Sequence, residues 1–173
     1  MEFEPGYCPY CGEELGEKHA EDRERLYCPG CDRIIWRNAE PVAATVVTKG
    51  EKLLFVKRGI EPGKGKWSIP AGFLEYREDP DHAAARELEE ETGLKVSEED
   101  LQILDSFNME RFPGQRLLSV IYTVDAEKTS GAISAGDDAQ EASFWSLEEL
   151  QALDEEMRHH FLPVIQEALR ENE

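Results

Sequence analysis

Residues 72–94 read GFLEYREDPDHAAARELEEETGL, and this stretch decides the fold prediction. Asp79 is a residue type that suits a helix N-cap, and Pro80 suits the first helical position. Gly93 suits the left-handed residue that ends many helices. The stretch therefore predicts one helix that begins at Pro80 and ends before Gly93.

The predicted helix carries three glutamates close together. At 3.6 residues per turn, Glu87, Glu90 and Glu91 fall within an arc of roughly 100°. A neighbouring arc of the helix carries small or apolar residues and is predicted to face the core. These residues are Ala84, Ala85, Leu88 and Thr92. Like charges at these spacings repel each other and destabilise the helix unless they are fully solvated or bind a divalent cation. Both explanations are open for the run ELEEE alone.

The residues around that run follow a longer pattern, G-x5-E-x7-R-E-U-x-E-E-x-G-U, in which U is aliphatic. Its positions are filled by Gly72, Glu78, Arg86, Glu87, Leu88, Glu90, Glu91, Gly93 and Leu94. This pattern resembles the Nudix hydrolase signature at every fixed position. The resemblance implies an enzyme that hydrolyses the phosphoanhydride of a nucleoside diphosphate linked to a group X, using Mg²⁺ or Mn²⁺. It also implies an α/β fold, an α/β/α sandwich with a mixed sheet.

The resemblance assigns roles to individual residues. Glu87, Glu90 and Glu91, with the carbonyl of Gly72, are the implied ligands of Mg²⁺ or Mn²⁺. Arg86 is implied to orient the glutamates by ion pairing, as part of the catalytic set with Glu87 and Glu90. Either of those two glutamates is a candidate general base, and Glu141 in the loop GDDAQEASFW is an outlying candidate. Glu78, just before the cap, is interpreted as stabilising the helix start.

All four cysteines lie near the N-terminus, as Cys8 and Cys11, then Cys28 and Cys31, with sixteen residues between the pairs. This C-x2-C…C-x2-C spacing is typical of a tetrahedral Zn²⁺ site, and four protein ligands make such a zinc structural. Two disulfides and a redox pair are the alternatives. Disulfides are rare in a reducing compartment, and the strand-helix context of a redox pair is missing.

The composition changes near residue 40. Residues 42–58 predict two strands around a turn at 49–51, with β-branched and alternating apolar residues. The cysteines followed by NAEPVAATVV (38–47), EPGKGKWSIPAGFLE (61–75) and the signature resemble the zinc-ribbon Nudix hydrolases, which include ADP-ribose and FAD diphosphatases. The predicted domains are therefore a zinc ribbon at 1–39 and a Nudix domain at 40–173.

The group X is the least determined part of the prediction. NADH diphosphatases carry a Ser-Gln-Pro-Trp stretch after the signature, and residues 101–124 of this chain lack it. ADP-ribose and FAD are the favoured substrates. Candidate substrate-binding residues are cationic, aromatic or acidic side chains on predicted loops: Arg58, Lys64, Lys66, Trp67, Arg111 and Glu141. Trp67 is equally well interpreted as a core residue.

The net charge of −19 over 173 residues disfavours nucleic acid and anionic membranes as partners. A long apolar run and a signal peptide are both missing, so we expect a cytoplasmic protein. The resemblance implies a small-molecule nucleotide as its partner and is compatible with a homodimer, since members of the family are often dimers. The alternative functions are a non-catalytic, nucleotide-sensing Nudix regulator and a pyrophosphohydrolase acting on NTPs or RNA 5′ ends.

The last segment, residues 146–173, predicts a short and a longer amphipathic helix. Ser146 is the predicted N-cap of the first, and Glu149 completes a capping box. His159 and His160 are neighbours on the second helix, where their side chains point in different directions. They are interpreted as surface or interface residues rather than metal ligands.

Overall fold

The computed structural model describes residues 5–61, 63–152, 161, 164–166 and 168, with the side chain of Phe112 excepted. The chain divides into two compact units, Met1–Glu40 with Glu110–Leu117, and Pro41–Met109 with Leu118–Glu173. The sequence-based boundaries placed residues 110–117 in the second domain. Nothing local in those residues indicates that they group with a segment seventy positions earlier.

The N-terminal unit contains a small antiparallel sheet. Its strands are β1 (Gly16–Ala20), β2 (Arg23–Cys28) and β3 (Arg33–Ile34). Glu21 and Asp22 join β1 to β2 with φ of 50° and 61°. Two consecutive positive φ values are typical of the tight hairpin turns that match strand twist. The sheet order β1-β2-β3 follows the chain.

The second unit is built on a larger mixed sheet with the order β12-β5-β4-β10-β9. Short strands extend it, because β6 pairs with β5 and β7 pairs with β4, while β8 pairs with β11 separately. The strands are β4 (Glu40–Lys49), β5 (Lys52–Arg58), β6 (Trp67–Ser68), β7 (Ala71–Phe73), β8 (Leu94–Lys95), β9 (Gln102–Phe112), β10 (Gln115–Asp125), β11 (Ser130–Gly131) and β12 (Ala139–Trp145). The helices are α1 (Pro80–Thr92) and α2 (Leu147–Ala152), with single 3-10 turns at Glu98–Asp100 and Ala126–Lys128.

Both faces of this sheet are covered. Side chains of a strand alternate between faces, and β4 follows this period closely. Ala44 and Val46 pack in a core that includes Ile165 from the C-terminal helical residues. Val47 on the opposite face packs with Leu88 of α1. A sheet between two helical layers is the α/β sandwich that the sequence predicts, and the fold prediction is confirmed.

Other local predictions are also confirmed. The turn at residues 49–51 joins β4 and β5, with Lys49 opposite Lys52. Ser146 and Glu149 form the reciprocal capping box, at 2.8 Å and 3.1 Å. His159 and His160 lie outside the described residues. Among the residues that are described, no helix combines the length and apolarity needed to cross a membrane.

Candidate active site and metal centres

Helix α1 begins and ends where the sequence predicts. Pro80 is its first residue, and Gly93 follows it with φ of 72°, donating its backbone N–H to the Glu89 carbonyl at 2.8 Å. Glycine adopts that left-handed conformation without a Cβ clash. Asp79 has the extended backbone of an N-cap residue, but its side chain makes no capping hydrogen bond.

Two of the three glutamates lie on the packed face of α1. Glu87 is 9% exposed and Glu91 is 5% exposed, whereas Glu90 is open to solvent. Ala83 is buried beside them, and Ala85 is only half-buried. The predicted separation into a packed arc and a carboxylate arc is therefore wrong for Glu87 and Glu91, because β7 lies against this part of the helix.

Arg86 holds the acidic side chains in place. Its Nε and Nη2 donate to the two oxygens of Glu78 at 2.8 Å and 2.9 Å, and Nη2 also donates to the Phe73 carbonyl at 3.0 Å. Its Nη1 donates to Glu87 Oε1 at 2.6 Å and to Glu90 Oε2 at 2.9 Å, so these two oxygens are at most 5.5 Å apart, the sum of the distances. Glu78, interpreted from sequence as a helix-start residue, is thus the bidentate anchor of Arg86.

Strand β7 brings backbone directly against the carboxylates. The Ala71 N–H donates to Glu91 Oε2 at 3.1 Å. At Gly72, a Cβ would coincide with the carboxyl group of Glu87. A side chain here would displace that carboxyl group, which is buried and accepts a hydrogen bond from Arg86, and φ at this position is not in the left-handed region.

Burial dominates the ionisation of the packed glutamates. It raises the pKa of Glu91 to about 8, with the Ala71 N–H opposing the rise and the charges of Glu87 and Asp138 adding to it. Burial also raises the pKa of Glu87, against the opposing Arg86 guanidinium. By contrast, the hydrogen bond from Arg86 lowers the pKa of Glu78 to about 2. The site therefore contains carboxyl groups that a bound cation would help to ionise.

The loop before β12 closes around the end of α1. Gly136 N–H donates to the Glu91 carbonyl at 3.3 Å, and Ser134 N–H donates to the Thr92 carbonyl at 2.9 Å, so two carbonyls left over at the helix end are satisfied. Asp138 in the same loop forms an ion pair with Arg58 at 3.2 Å. Sequence reasoning named Glu141 from this region and assigned no role to Asp137 or Asp138. Their proximity to Glu87 and Glu91 depends on tertiary packing, for which the sequence has no local signal.

The predicted substrate contacts are distributed unevenly. Arg58 is mostly buried in its ion pair, whereas Lys64 and Glu141 are exposed and Lys66 is half-buried. Arg111 belongs to β9 and lies in the N-terminal unit. Trp67 is 2% exposed and packs edge to face with Trp145 at 6.1 Å between ring centroids. The Lys57 Nζ lies over the ring, 5.5 Å from its centroid. A ring this buried fits the interpretation as a core residue rather than stacking on a base.

The four cysteines form a compact ligand set in the N-terminal unit. The sulfurs of Cys8 and Cys31 are 3.9 Å apart, those of Cys11 and Cys28 are 3.5 Å apart, and all four lie within 4.8 Å of one another. A tetrahedral Zn²⁺ with bonds of about 2.3 Å separates its sulfurs by about 3.8 Å. The cysteines are free thiols. The sulfur positions fit one tetrahedral ion rather than two disulfides, whose sulfurs would be about 2 Å apart.

The carboxylates are arranged more openly. Among the described residues, the four cysteines are the one cluster in which three or more potential ligand atoms of cysteine, histidine or acidic side chains lie within 4.8 Å of one another. The glutamates do not form such a cluster. The glutamates are instead spread around Arg86. Mg²⁺ keeps several waters and uses one or two carboxylates together with substrate phosphates, so an open set of hard oxygen ligands suits it.

Comparison with known proteins identifies the family. Residues 39–166 match the NUDIX domain. The chain belongs to the Nudix family. Residues 72–94, which resemble the Nudix signature and carry the glutamates, Arg86 and Gly72, lie within that match.

Two curated relatives share part of this Nudix chain. An ADP-ribose pyrophosphatase from Methanocaldococcus jannaschii is 36% identical over 108 residues, which is 62% of each protein. The NAD-capped RNA hydrolase NudC from Pseudomonas aeruginosa is 31% identical over 149 residues, 85% of this chain and 50% of the relative. The chain thus spans between half and two thirds of the length of these relatives.

A solved structure supports the fold. The bifunctional NMN adenylyltransferase/ADP ribose pyrophosphatase from Francisella tularensis, complexed with AMP and a manganese ion, is 25% identical. The two structures superpose with a TM-score of 0.67, and the aligned region covers 80% of this chain and 43% of the Francisella chain. The Nudix fold is therefore shared with an enzyme of different domain composition.

Proposed function

We propose that the protein hydrolyses the phosphoanhydride of a nucleoside diphosphate linked to another group, with Mg²⁺ or Mn²⁺, and that ADP-ribose is its main substrate, ahead of FAD. The observation that carries the proposal is the arrangement in which one Arg86 nitrogen holds Glu87 and Glu90 beside the buried Glu91. Support for ADP-ribose comes from the Methanocaldococcus relative of that name. Support for the metal comes from the manganese in the Francisella structure.

The metal ligands in this proposal are Glu87, Glu90 and Glu91, with the Gly72 carbonyl. Cations held by these residues would supply positive charge to neutralise the diphosphate and would lower the pKa of an attacking water. A chain with a net charge of −19 repels a diphosphate, so the site needs positive charge of its own. Arg86 orients the carboxylates through its contacts with Glu78, Glu87 and Glu90. Arg86 is a positioning residue in this scheme.

The general base is proposed to be Glu90 or Glu87. A general base must reach the attacking water, which comes from solvent. The Glu90 side chain is 47% exposed, whereas the Glu87 side chain is 12% exposed. Glu90 fits better on this ground. Glu141 is exposed on β12, outside the helix that carries the signature glutamates.

The N-terminal unit is proposed to be a zinc ribbon at residues 1–39, followed by the Nudix domain at 40–173. Four thiolates leave the ion no open position, so its role is structural. A homodimer and a cytoplasmic location also stay predictions, which sedimentation and fractionation test.

A second candidate function is hydrolysis at RNA 5′ ends. The NudC relative, an NAD-capped RNA hydrolase, aligns with 85% of this chain and favours it. The acidic surface and the missing Ser-Gln-Pro-Trp stretch oppose it. The non-catalytic regulator is not favoured, since the signature is intact.

A substrate screen distinguishes these functions. Zinc-loaded protein is assayed by phosphatase-coupled phosphate release with ADP-ribose, FAD, NADH, diadenosine polyphosphates and NAD-capped RNA, each with Mg²⁺ and with Mn²⁺. NTPs are assayed under the same metals with inorganic pyrophosphatase as the coupling enzyme. The expected result is the highest kcat/KM for ADP-ribose, and background rates without divalent metal. A higher kcat/KM for capped RNA would move the assignment to the second function. Turnover of none of these compounds would refute both.

The close approach at Gly72 gives a second prediction. Gly72→Ala forces the Glu87 carboxyl group away from β7, so we expect hydrolysis to fall about 10- to 100-fold, as when a metal site loses its supporting geometry. The free energy of unfolding should fall by about 1–3 kcal/mol. The matched control is Gly16→Ala, where an added Cβ meets nothing within 4 Å. Equal activity of the two variants would contradict the prediction.

A further inference from the structure

A cavity of about 490 Å³ opens within the N-terminal unit. One wall is the segment after β3, which includes Trp36 and Arg37, and the other is the tip of the β9–β10 hairpin at residues 113–116. The volume lies within the range of about 300–1,000 Å³ that is usual for small-molecule sites. Its described lining contains no residue of α1 and no cysteine, so this cavity is separate from both centres described above.

Hydrogen bonds fix the two walls relative to each other. Arg37 Nη2 donates to the Gly114 carbonyl at 3.2 Å, and Gln115 Nε2 donates to Glu40 Oε2 at 2.9 Å. The Gly114 N–H donates to Glu110 Oε1 at 3.2 Å, which secures the hairpin tip. A site whose walls are already held in place loses less conformational freedom when it binds a ligand. The cavity is therefore preorganised.

Trp36 contributes an exposed aromatic ring to the wall of this cavity. Trp36 is 51% exposed, whereas Trp67 is 2% exposed and Trp145 is half-buried. The Arg25 guanidinium lies 4.8 Å from the Trp36 ring centroid, and Arg25 is not part of the cavity lining. The ring is thus supported by a cation outside the cavity while it contributes to the cavity wall. An exposed indole of this kind is well suited to stack on a flat aromatic ligand.

The polar groups of the cavity favour an anion. Arg37 and Arg116 both line it, and the one carboxylate in its described lining, Glu40, accepts the hydrogen bond from the Gln115 amide. Two guanidinium groups in one cavity stand out in a chain whose net charge is −19. Guanidinium groups are the preferred partners of phosphate oxygens. A stacking ring beside two arginines is the chemistry that recognises a base joined to a phosphate.

We propose that this cavity binds a nucleotide, with its base stacked on Trp36 and its phosphate held by Arg37 and Arg116. The proposal does not depend on the hydrolytic function, since it concerns a different unit of the chain. The nucleotide has two sources, either a free mononucleotide or the 5′-terminal nucleotide of an RNA chain, and both present the same base and phosphate.

Calorimetric titration of the zinc-loaded full chain tests the proposal. The probes are AMP, a 5′-phosphorylated oligoadenylate and inorganic phosphate, none of which contains a phosphoanhydride, so turnover does not interfere. We expect AMP to bind and to quench indole fluorescence, and phosphate alone to bind much more weakly. Trp36→Ala should weaken AMP binding about tenfold or more, and Trp36→Phe should largely restore it. Arg116→Ala should weaken AMP binding as well.

Tyr76→Ala is the matched control, because Tyr76 is an 88% exposed aromatic residue in the other unit. Zinc content and circular dichroism show whether each variant is folded. Tighter binding of the oligoadenylate than of AMP, with a steeper salt dependence, identifies an RNA end as the source, and equal binding identifies the free nucleotide. AMP binding that is undetectable up to about 5 mM, or that is equal in wild type, Trp36→Ala and Arg116→Ala, overturns the proposal.

Discussion

We expect Glu91→Gln to lower hydrolysis by about 10³-fold and to leave the protein folded. Glu91 is 5% exposed, and its Oε2 accepts the Ala71 N–H at 3.1 Å, a bond that the glutamine carbonyl oxygen can also accept. The amide fills the same volume and makes the same backbone contact, so the fold is preserved. It has no negative charge to hold a divalent cation at the diphosphate, so the transition state loses its main electrostatic support. Steady-state kinetics and circular dichroism measure both results.

The same substitution changes how stability depends on pH in metal-free protein. The pKa of Glu91 is raised by burial from its ordinary value of 4.5 to about 8. A raised pKa contributes stability that is fully present below pH 4.5 and is lost as pH rises through 8. Glutamine has no such loss, so between pH 6 and pH 9 Glu91→Gln should gain on the order of 2 kcal/mol in unfolding free energy over wild type.

Added Mg²⁺ should make wild type more stable than Glu91→Gln, the reverse of their order without metal. A cation bound by the Glu91 carboxylate replaces its proton, so Mg²⁺ should stabilise wild type more at pH 8 than at pH 6 and should have little effect on Glu91→Gln. Thermal melts with and without Mg²⁺ measure this. The control is Glu89→Gln on the same helix, where the side chain is 49% exposed and pairs with Lys95 at 2.8 Å. Retained turnover in Glu91→Gln, or parallel stability curves for all three proteins, would contradict the assignment.

The features that sequence predicts well here are set by neighbouring residues. The ends of α1 follow from Pro80 and Gly93, and the hairpin of β4 and β5 follows from apolar strands around a short turn. The Ser146–Glu149 capping box is equally local. Such features depend on backbone preferences and contacts a few residues apart, so a single sequence is enough to find them.

The features that sequence missed depend on residues far apart in the chain. Burial of Glu87 and Glu91 arises because β7 lies on α1, and helical periodicity alone gave them a separate, unpacked arc. Trp67 was interpreted both as a substrate contact and as a core residue, and only its tertiary contacts show that it is part of the core. Asp138 reaches the site through its pairing with Arg58, eighty positions earlier. None of these contacts has a signature within a short window.

The largest expected effect on stability comes from the cysteines. In the described part of residues 5–40, Cys8 and Cys28 alone are fully buried, so this segment has almost no apolar core. Structural zinc contributes about 10–16 kcal/mol of apparent binding energy in small domains, which is then folding energy. We expect one Zn²⁺ per chain, and we expect its removal by a chelator to unfold the N-terminal unit.

Cys28→Ser should have the same effect as the chelator, because a serine hydroxyl is a poor zinc ligand and Cys28 is 0% exposed. Amide NMR of the full chain should lose the dispersed resonances of β1 to β3 and keep those of β4 and β5, and limited proteolysis should cut first within residues 5–40. Tyr7→Ser, at a position that is 68% exposed, is the control and should keep its zinc. A ribbon held by disulfides would behave in the opposite way, unfolding in reductant and resisting the chelator, and that result would refute the zinc assignment.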